Sequence, residues 1–109
     1  MEFKSTKKEA ALLVEVAGRM DAITTAEFDA KSKDWLAAGE KKVVVDLSGL
    51  EYISSAGLRS ILAAAKKLKA SDGQLVFCGL TGMVEEVFKV SGFAAMFTLY
   101  ATCDEALAG

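Results

Sequence analysis

The spacing of apolar residues predicts that strands and helices alternate along this chain. Residues 11 to 17 alternate along their length, with Leu12, Val14 and Val16 on one face, which is typical of a strand. Residues 42 to 47 contain three consecutive valines, which indicates a strand buried on both faces, as in the centre of a parallel sheet. Three further short strands are predicted at Phe3 to Ser5, Gln74 to Cys78 and Phe97 to Tyr100.

Helical spacing and capping residues predict the remaining elements. The first helix follows a capping box with Thr24 as the N-cap and Glu27 reaching back, and it ends before Gly39. The second helix begins near Ser55, and the third follows the turn at residues 79 to 82. A second capping box at residues 102 to 105 opens a short terminal helix. Residues 18 to 21 and the serine-rich stretch after Leu47 are predicted to be loops.

The order of these elements predicts the fold class. Two strands come first, and helices then alternate with strands to the end of the chain, which favours a mixed, mostly parallel sheet with right-handed crossovers. The chain has 109 residues, of which 52% are hydrophobic, so one domain over residues 1–109 can build a core.

Charge and hydropathy exclude several classes of partner. The net charge is −2 and the isoelectric point is about 5.1, whereas nucleic-acid binding calls for a basic face. No run approaches the ~18 apolar residues that a spanning helix needs, so we expect no membrane insertion. The first residues carry no apolar export signal, and we therefore expect a cytoplasmic protein.

The residue types present also argue against catalysis. The chain has no histidine, which is the commonest general base and metal ligand. Residues 53 to 57 supply only half of the G-x-S-x-G nucleophile motif, and residues 79 to 82 lack the spacing of nucleotide-binding loops. Cys78 and Cys103 show no metal-ligand spacing, so we expect neither a metal nor a cofactor. The prediction is a protein that is not an enzyme.

Two adjacent serines stand where the second helix begins. The first backbone N–H groups of a helix lack partners and the dipole there is positive, so a phosphate on Ser54 or Ser55 would be tolerated. Either hydroxyl could instead serve as the N-cap, and the sequence does not rank them. Asp21 and Asp46 are expected near this loop, either as functional acids or as a solvated turn residue and a cap of loop amides.

The motif Asp46-Leu47-Ser48 followed by residues 52 to 58, Tyr-Ile-Ser-Ser-Ala-Gly-Leu, resembles the signature of STAS domains. The closest branch is that of the bacterial anti-sigma factor antagonists, and the resemblance extends over almost the whole chain. It implies a single STAS domain: an α/β fold with a small mixed, mostly parallel sheet and helices packed mainly on one face.

The resemblance also implies a phosphorylation site and a partner-binding surface. The family's phosphoacceptor serine falls on Ser55, and the family's preceding aspartate falls on Ser54, which is a departure. The implied partner-binding residues are Asp21, Ser54, Ser55, Ala56, Gly57 and Arg59, with Gly57 leaving room for close approach of the partner. Asp46 and Ser48 are expected to support the loop.

In this family, the unmodified protein binds an anti-sigma factor that is also a serine kinase, and so regulates transcription. Phosphorylation breaks the complex, and a serine phosphatase reverses the modification. An alternative is a STAS subunit of a lipid-transport or stress-signalling complex that uses the same surface without phosphorylation. A third hypothesis, an enzyme with Ser55 as nucleophile, lacks a base to activate the hydroxyl.

Overall fold

The valine-rich strand lies at the centre of a five-stranded sheet. In the computed structural model, which describes residues 1–109, Lys42–Ile53 pairs in parallel with Leu12–Met20 on one side and with Gln74–Cys78 on the other. Val44 and both its neighbours are fully buried, as expected for a strand covered on both faces. The prediction of a central parallel strand is confirmed.

The structure contains five strands and five helices. In chain order they are β1 Glu2–Lys7, β2 Leu12–Met20, α1 Thr25–Ala37, β3 Lys42–Ile53, α2 Ser55–Ala70, β4 Gln74–Cys78, α3 Gly82–Val90, α4 Phe93–Met96, β5 Leu99–Tyr100 and α5 Cys103–Ala108. The sheet order is β1-β2-β3-β4-β5, and β1 is the one antiparallel strand. The predicted mixed, mostly parallel sheet is confirmed.

The two faces of the sheet carry cores of different size. Helices α1 to α4 cover one face, where 18 buried residues from the sheet and these helices form the main core. Helix α5 packs on the opposite face, where Ala106 lies in a small cluster with Val44, Val76 and Cys78. Most helices therefore pack on one face, and α5 is the exception.

Two predicted loops are in fact strand. β2 continues through residues 18 to 20, and β3 continues through residues 48 to 53, because the two segments pair with each other as far as Met20 and Ile53. Register shifts between Glu15 and Ala17 and between Gly18 and Arg19 mark an irregular ladder. Such bulges break the strict alternation of side chains, which is why the pattern suggested loops.

Two smaller expectations also need correction. The Thr24 hydroxyl makes no cap bond and instead donates to the carbonyl oxygen of Arg19 at 2.7 Å, so the predicted first capping box is absent. A short helix, Phe93–Met96, precedes the last strand, which is limited to Leu99–Tyr100. Thr102 does cap the last helix, since its Oγ1 accepts a hydrogen bond from the backbone N–H of Glu105, and the Glu105 carboxylate accepts from the Thr102 hydroxyl, not from its backbone N–H.

No helix of this chain has both the length and the apolar character required to cross a bilayer.

Candidate functional site

The two serines at the start of α2 have different roles. Ser54 has extended backbone angles, and its Oγ accepts a hydrogen bond from the backbone N–H of Gly57 at 3.2 Å, so it is the N-cap. Ser55 is the first helical residue, is exposed, and makes no side-chain hydrogen bond within the protein. The structure thus separates two residues that the sequence left unranked: Ser54 caps the helix and the Ser55 hydroxyl is free.

The loop between β2 and α1 is organised by one carboxylate. Asp21 Oδ1 accepts hydrogen bonds from the backbone N–H groups of Ile23 and Thr24, both at 3.0 Å, and the backbone N–H of Asp21 donates to the Thr24 hydroxyl at 2.9 Å. These donors, together with the positive charge of Arg19, lower the pKa of Asp21. Asp21 is therefore a charged residue that organises this turn through its hydrogen bonds.

Pairing of β2 with β3 brings this loop to the start of α2. Met20 and Ile53 are register partners, and the backbone N–H of Ser54 donates to the carbonyl oxygen of Met20 at 2.9 Å. One step earlier, the guanidinium of Arg19 stacks over the ring of Tyr52, 4.3 Å from its centroid. Asp21 therefore comes directly after the end of β2 and Ser54 directly after the end of β3, and these two strand ends are paired with each other.

The structure gives Gly57 an internal role rather than the predicted one at a partner's surface. The residue is buried, and a β-carbon placed there would lie 2.8 Å from Ile53 Cγ1 and 2.9 Å from Met20 Cγ. The glycine therefore lets α2 pack closely on the ends of β2 and β3. The partner-approach role expected for Gly57 is corrected accordingly.

Asp46 and Ser48 do not lie at the loop that they were predicted to support. Asp46 stands in the middle of β3, on the same face as Val44, and its Oδ1 accepts a hydrogen bond from the Ser48 backbone N–H at 2.9 Å. The strand runs on for seven more residues to Ile53, a distance on the order of 20 Å. Asp46 does hold a nearby backbone amide, but the start of α2 is held by Met20 instead.

An apolar residue that the sequence analysis missed stands in the Asp21 loop. Ile23 is 86% exposed, although its backbone N–H is fixed by the Asp21 carboxylate. A single exposed isoleucine is ordinary by itself, but this one lies in the loop that β2 and β3 bring to the start of α2. The signal in the sequence was an isolated apolar residue between a turn aspartate and a helix start.

Two grooves flank the first turns of α2. Ala56 and Arg59 line a groove of about 450 Å³ between α2 and α1, which also carries charged residues of both signs. On the other side, Leu58 borders a groove of about 300 Å³ with Val87 and Val90 of α3. Val90 is 81% exposed, so apolar surface lies on this side of the helix start as well.

The surroundings of Ser55 bear on the reactivity of its hydroxyl. The chain has no histidine, and Oδ1 of Asp21 already accepts two backbone N–H groups of its own loop. The Ser55 hydroxyl has no hydrogen-bond partner within the protein, so no basic side chain is in contact with it.

One cluster elsewhere has the composition of a metal site. Asp46, Cys78 and Cys103 carry potential ligand atoms that all lie within 4.8 Å of one another. The sequence spacing of the two cysteines gave no sign of this, because the cluster is assembled by the sheet and α5. It lies on the second face of the sheet, away from Ser55.

The fold and the sequence both match known proteins. The family model described as "STAS domain" matches residues 2–106. BtrV of Bordetella bronchiseptica, provisionally named an anti-sigma factor antagonist, is 38% identical over 97 residues, which cover 89% of this chain and 84% of that protein. Unphosphorylated SpoIIAA, titled an anti-sigma factor antagonist, superposes with a TM-score of 0.80 at 20% identity, covering 97% of this chain and 93% of its own.

A solved structure from a mycobacterium has the same fold. An anti-sigma factor antagonist from Mycobacterium paratuberculosis superposes with a TM-score of 0.88 at 24% identity and covers 98% of this chain and 91% of its own. The structural likeness shows the fold, and the family-wide match together with the identity to BtrV shows the family. The chain therefore belongs to the STAS domain family, in the branch of the anti-sigma factor antagonists.

Proposed function

We propose that this protein regulates transcription by binding an anti-sigma factor through the surface around Ser55, and that phosphorylation of Ser55 releases it. The Ser55 surface consists of Asp21, Ile23, Ser55, Ala56 and Arg59. The proposal rests on the different roles of the two serines. Ser54 is the N-cap of α2, and the Ser55 hydroxyl is exposed and has no hydrogen-bond partner. The protein is then a substrate and regulator, not an enzyme.

The position of Ser55 suits a kinase substrate. A kinase must reach the hydroxyl with its own base and nucleotide, and an exposed side chain on the first residue of a rigid helix offers that access. The hydrogen bond from Ser54 to Met20 holds the backbone in place, so the helix need not unfold for the reaction. The Ser54 cap also survives, because a different hydroxyl is modified.

The folded protein can accommodate the phosphate. The group would carry about −1.5 to −2 charges at the positive end of a 16-residue helix, where backbone N–H groups lack partners. Arg59 follows one turn later on the same side of the helix, at the i, i+4 spacing that favours pairing of opposite charges. Phosphorylation should therefore leave the fold intact and change the surface alone.

The same charge opposes docking. The partner proposed here is an anti-sigma factor that is itself a serine kinase, so it holds the phosphates of ATP against the Ser55 surface. A second phosphate beside Asp21 would meet that negative charge at close range. A penalty of about 3 kcal/mol would weaken binding roughly 150-fold, which is enough for a switch. A serine phosphatase would restore the binding form.

Relatives with known names support the proposal. BtrV and RsfB of Mycobacterium tuberculosis are both named as antagonists of anti-sigma factors, and RsfB is named for an anti-sigma-F factor. SpoIIAA, which shares this fold, has been solved in a phosphorylated form. The surface described above gives this chain a serine that can accept the same modification.

Phosphorylation by the cognate anti-sigma kinase tests the proposal. The wild-type protein, Ser55→Ala and the control Ser71→Ala, which removes an exposed serine at the far end of α2, are incubated with the kinase and ATP. We expect one phosphate on Ser55 in the wild type and the control, and none in Ser55→Ala, by peptide mass spectrometry. Unchanged modification of Ser55→Ala would rule out this site. Stable docking with no modification of any serine would instead favour the alternative of an unphosphorylated subunit of a larger complex.

A further inference from the structure

Two cysteines 25 residues apart in the sequence meet on the second face of the sheet. The Sγ atoms of Cys78 and Cys103 lie 2.8 Å apart, and both residues are free thiols. Cys78 is the last residue of β4, and Cys103 is the first residue of α5. We propose that this pair is a site of reversible oxidation, at which an intramolecular disulfide fastens α5 to the sheet. The proposal is independent of the function proposed for Ser55.

The sheet and α5 hold the two sulfur atoms together. Cys78 belongs to a row of register partners, Glu15, Asp46, Cys78 and Tyr100, that crosses four neighbouring strands on one face. Helix α5 is placed over this row by the buried Ala106, and its start is closed by hydrogen bonds between Thr102 and Glu105. A bond between the sulfurs therefore calls for side-chain adjustment and not for a new position of the helix.

The two thiols differ in burial, so we assign them different steps of the oxidation. Cys78 has no exposed surface, whereas Cys103 is half-buried and reaches solvent. The Cys103 thiolate attacks hydrogen peroxide, the O–O bond breaks, and the products are a sulfenic acid and hydroxide. The Cys78 sulfur then attacks the Cys103 sulfur, forming the S–S bond, and the sulfenic hydroxyl leaves as water with the Cys78 proton. The two thiols lose two electrons in all, and the peroxide gains them.

The surroundings make this reaction slow without preventing it. Burial and the negative charges of Asp46 and Glu15 raise the pKa of both thiols, so the thiolate fraction at neutral pH is small. A small thiolate fraction slows the attack on peroxide. In the disulfide neither sulfur can ionise, so the carboxylates of Asp46 and Glu15 no longer disfavour a thiolate at this site.

The bond would stabilise the C-terminal third of the domain. It closes the chain between residues 78 and 103, which contains α3, α4 and β5. Closing a loop of this length restricts the unfolded chain, and we expect Tm to rise by about 10 °C or more on oxidation. Because the site lies on the face opposite α1, α2 and α3, oxidation should leave the Ser55 surface unchanged.

Peroxide treatment of the purified full chain tests the proposal. Wild-type protein is exposed to hydrogen peroxide, unfolded, and labelled with N-ethylmaleimide, with Cys103→Ser and Cys78→Ala as matched variants. We expect the wild-type chain to lose two hydrogen atoms beside any oxygen added to its exposed methionines, to take no maleimide label, and to regain both labels after dithiothreitol. Trypsin cleavage after Lys69 and Lys89 should then yield residues 70–89 joined to residues 90–109.

Three results would overturn the proposal. One is full maleimide labelling of both thiols after peroxide treatment that oxidises the exposed methionines. Another is a pair of chains joined through Cys103, which would show that the sulfurs do not reach each other within one molecule. The third is protection of both thiols by equimolar Zn²⁺ with no disulfide under peroxide, which would assign Asp46, Cys78 and Cys103 to a metal ion instead.

Discussion

The backbone N–H of Ser54 donates a hydrogen bond to the carbonyl oxygen of Met20 at 2.9 Å, which ties the end of β2 to the start of α2. This hydrogen bond holds together the two segments that form the proposed docking surface. On one side of it Asp21 fixes a loop that exposes Ile23, and on the other side the Ser54 hydroxyl caps the helix. Ser55 is thereby presented on a rigid frame with its own hydroxyl unused.

The two serines should differ in their effect on stability. Ser54→Ala removes the cap of α2 and should lower the free energy of unfolding by about 1 kcal/mol, which corresponds to a fall in Tm of about 4–8 °C. Ser55→Ala removes a hydroxyl without a partner and should change the free energy by no more than about 0.5 kcal/mol. Urea unfolding of both variants checks this, and equal losses would mean that the roles are shared.

Gly57 should contribute to stability because α2 packs closely on the strand ends there. A β-carbon there would lie within 3 Å of Ile53 and Met20, so Gly57→Ala should cost about 1–3 kcal/mol through overpacking. Urea unfolding measures the loss directly. If Gly57→Ala were as stable as the wild type but failed to bind the anti-sigma factor, the internal role argued for this glycine would be wrong and the predicted partner-approach role would return.

Ile23 should contribute to binding and not to folding. Its side chain is 86% exposed, so Ile23→Ala should leave Tm unchanged while weakening the complex with the anti-sigma factor by about tenfold or more. Met96→Ala, which truncates a 57% exposed side chain on α4, is the matched control and should bind like the wild type. Isothermal titration calorimetry of both variants provides the comparison, and equal affinities would remove Ile23 from the surface.

The Asp21 loop should loosen only in strong acid. Its hydrogen-bond donors lower the pKa of Asp21 below the ordinary value of 3.8. A carboxyl whose pKa is depressed on folding adds stability at pH values above its unfolded pKa, and that stability is lost as the pH falls through the folded pKa. The NMR titration of the Asp21 carboxyl carbon should have its midpoint below 3.8, and Asp21→Ala should disorder Ile23 at neutral pH. A midpoint above 3.8 would contradict the hydrogen bonding described here.

Local patterns predicted the elements whose identity depends on near neighbours. The valine run of β3, the apolar stripe of α2 and the N-cap at Thr102 all agree with the structure. The extension of β2 and β3 was missed because it depends on pairing between residues about 30 positions apart, across a bulge. The first capping box failed because the Thr24 hydroxyl oxygen accepts a hydrogen bond from the backbone N–H of Asp21 and not from a backbone N–H of α1.

The sequence predicted most of the residues at the site, but it did not predict the structural role of each one. Ser54 and Ser55 have the same side chain, and only the backbone angles of Ser54 decide which hydroxyl faces the Gly57 amide. Asp46 follows a valine run, but the strand continues past it, which removes it from the helix start. The meeting of Cys78 with Cys103 depends on where α5 docks, which no local pattern encodes.

Binding of the two phosphorylation states to one partner tests the central claim most directly. The protein is prepared unmodified and with phosphate on Ser55, and each form is titrated into the ATP-bound anti-sigma kinase by calorimetry. We expect the unmodified form to bind about 100-fold or more tightly than the phosphorylated form, and Ser55→Asp to bind weakly as well. Equal affinities of the two forms, with both shown to be folded by circular dichroism, would contradict the proposed switch.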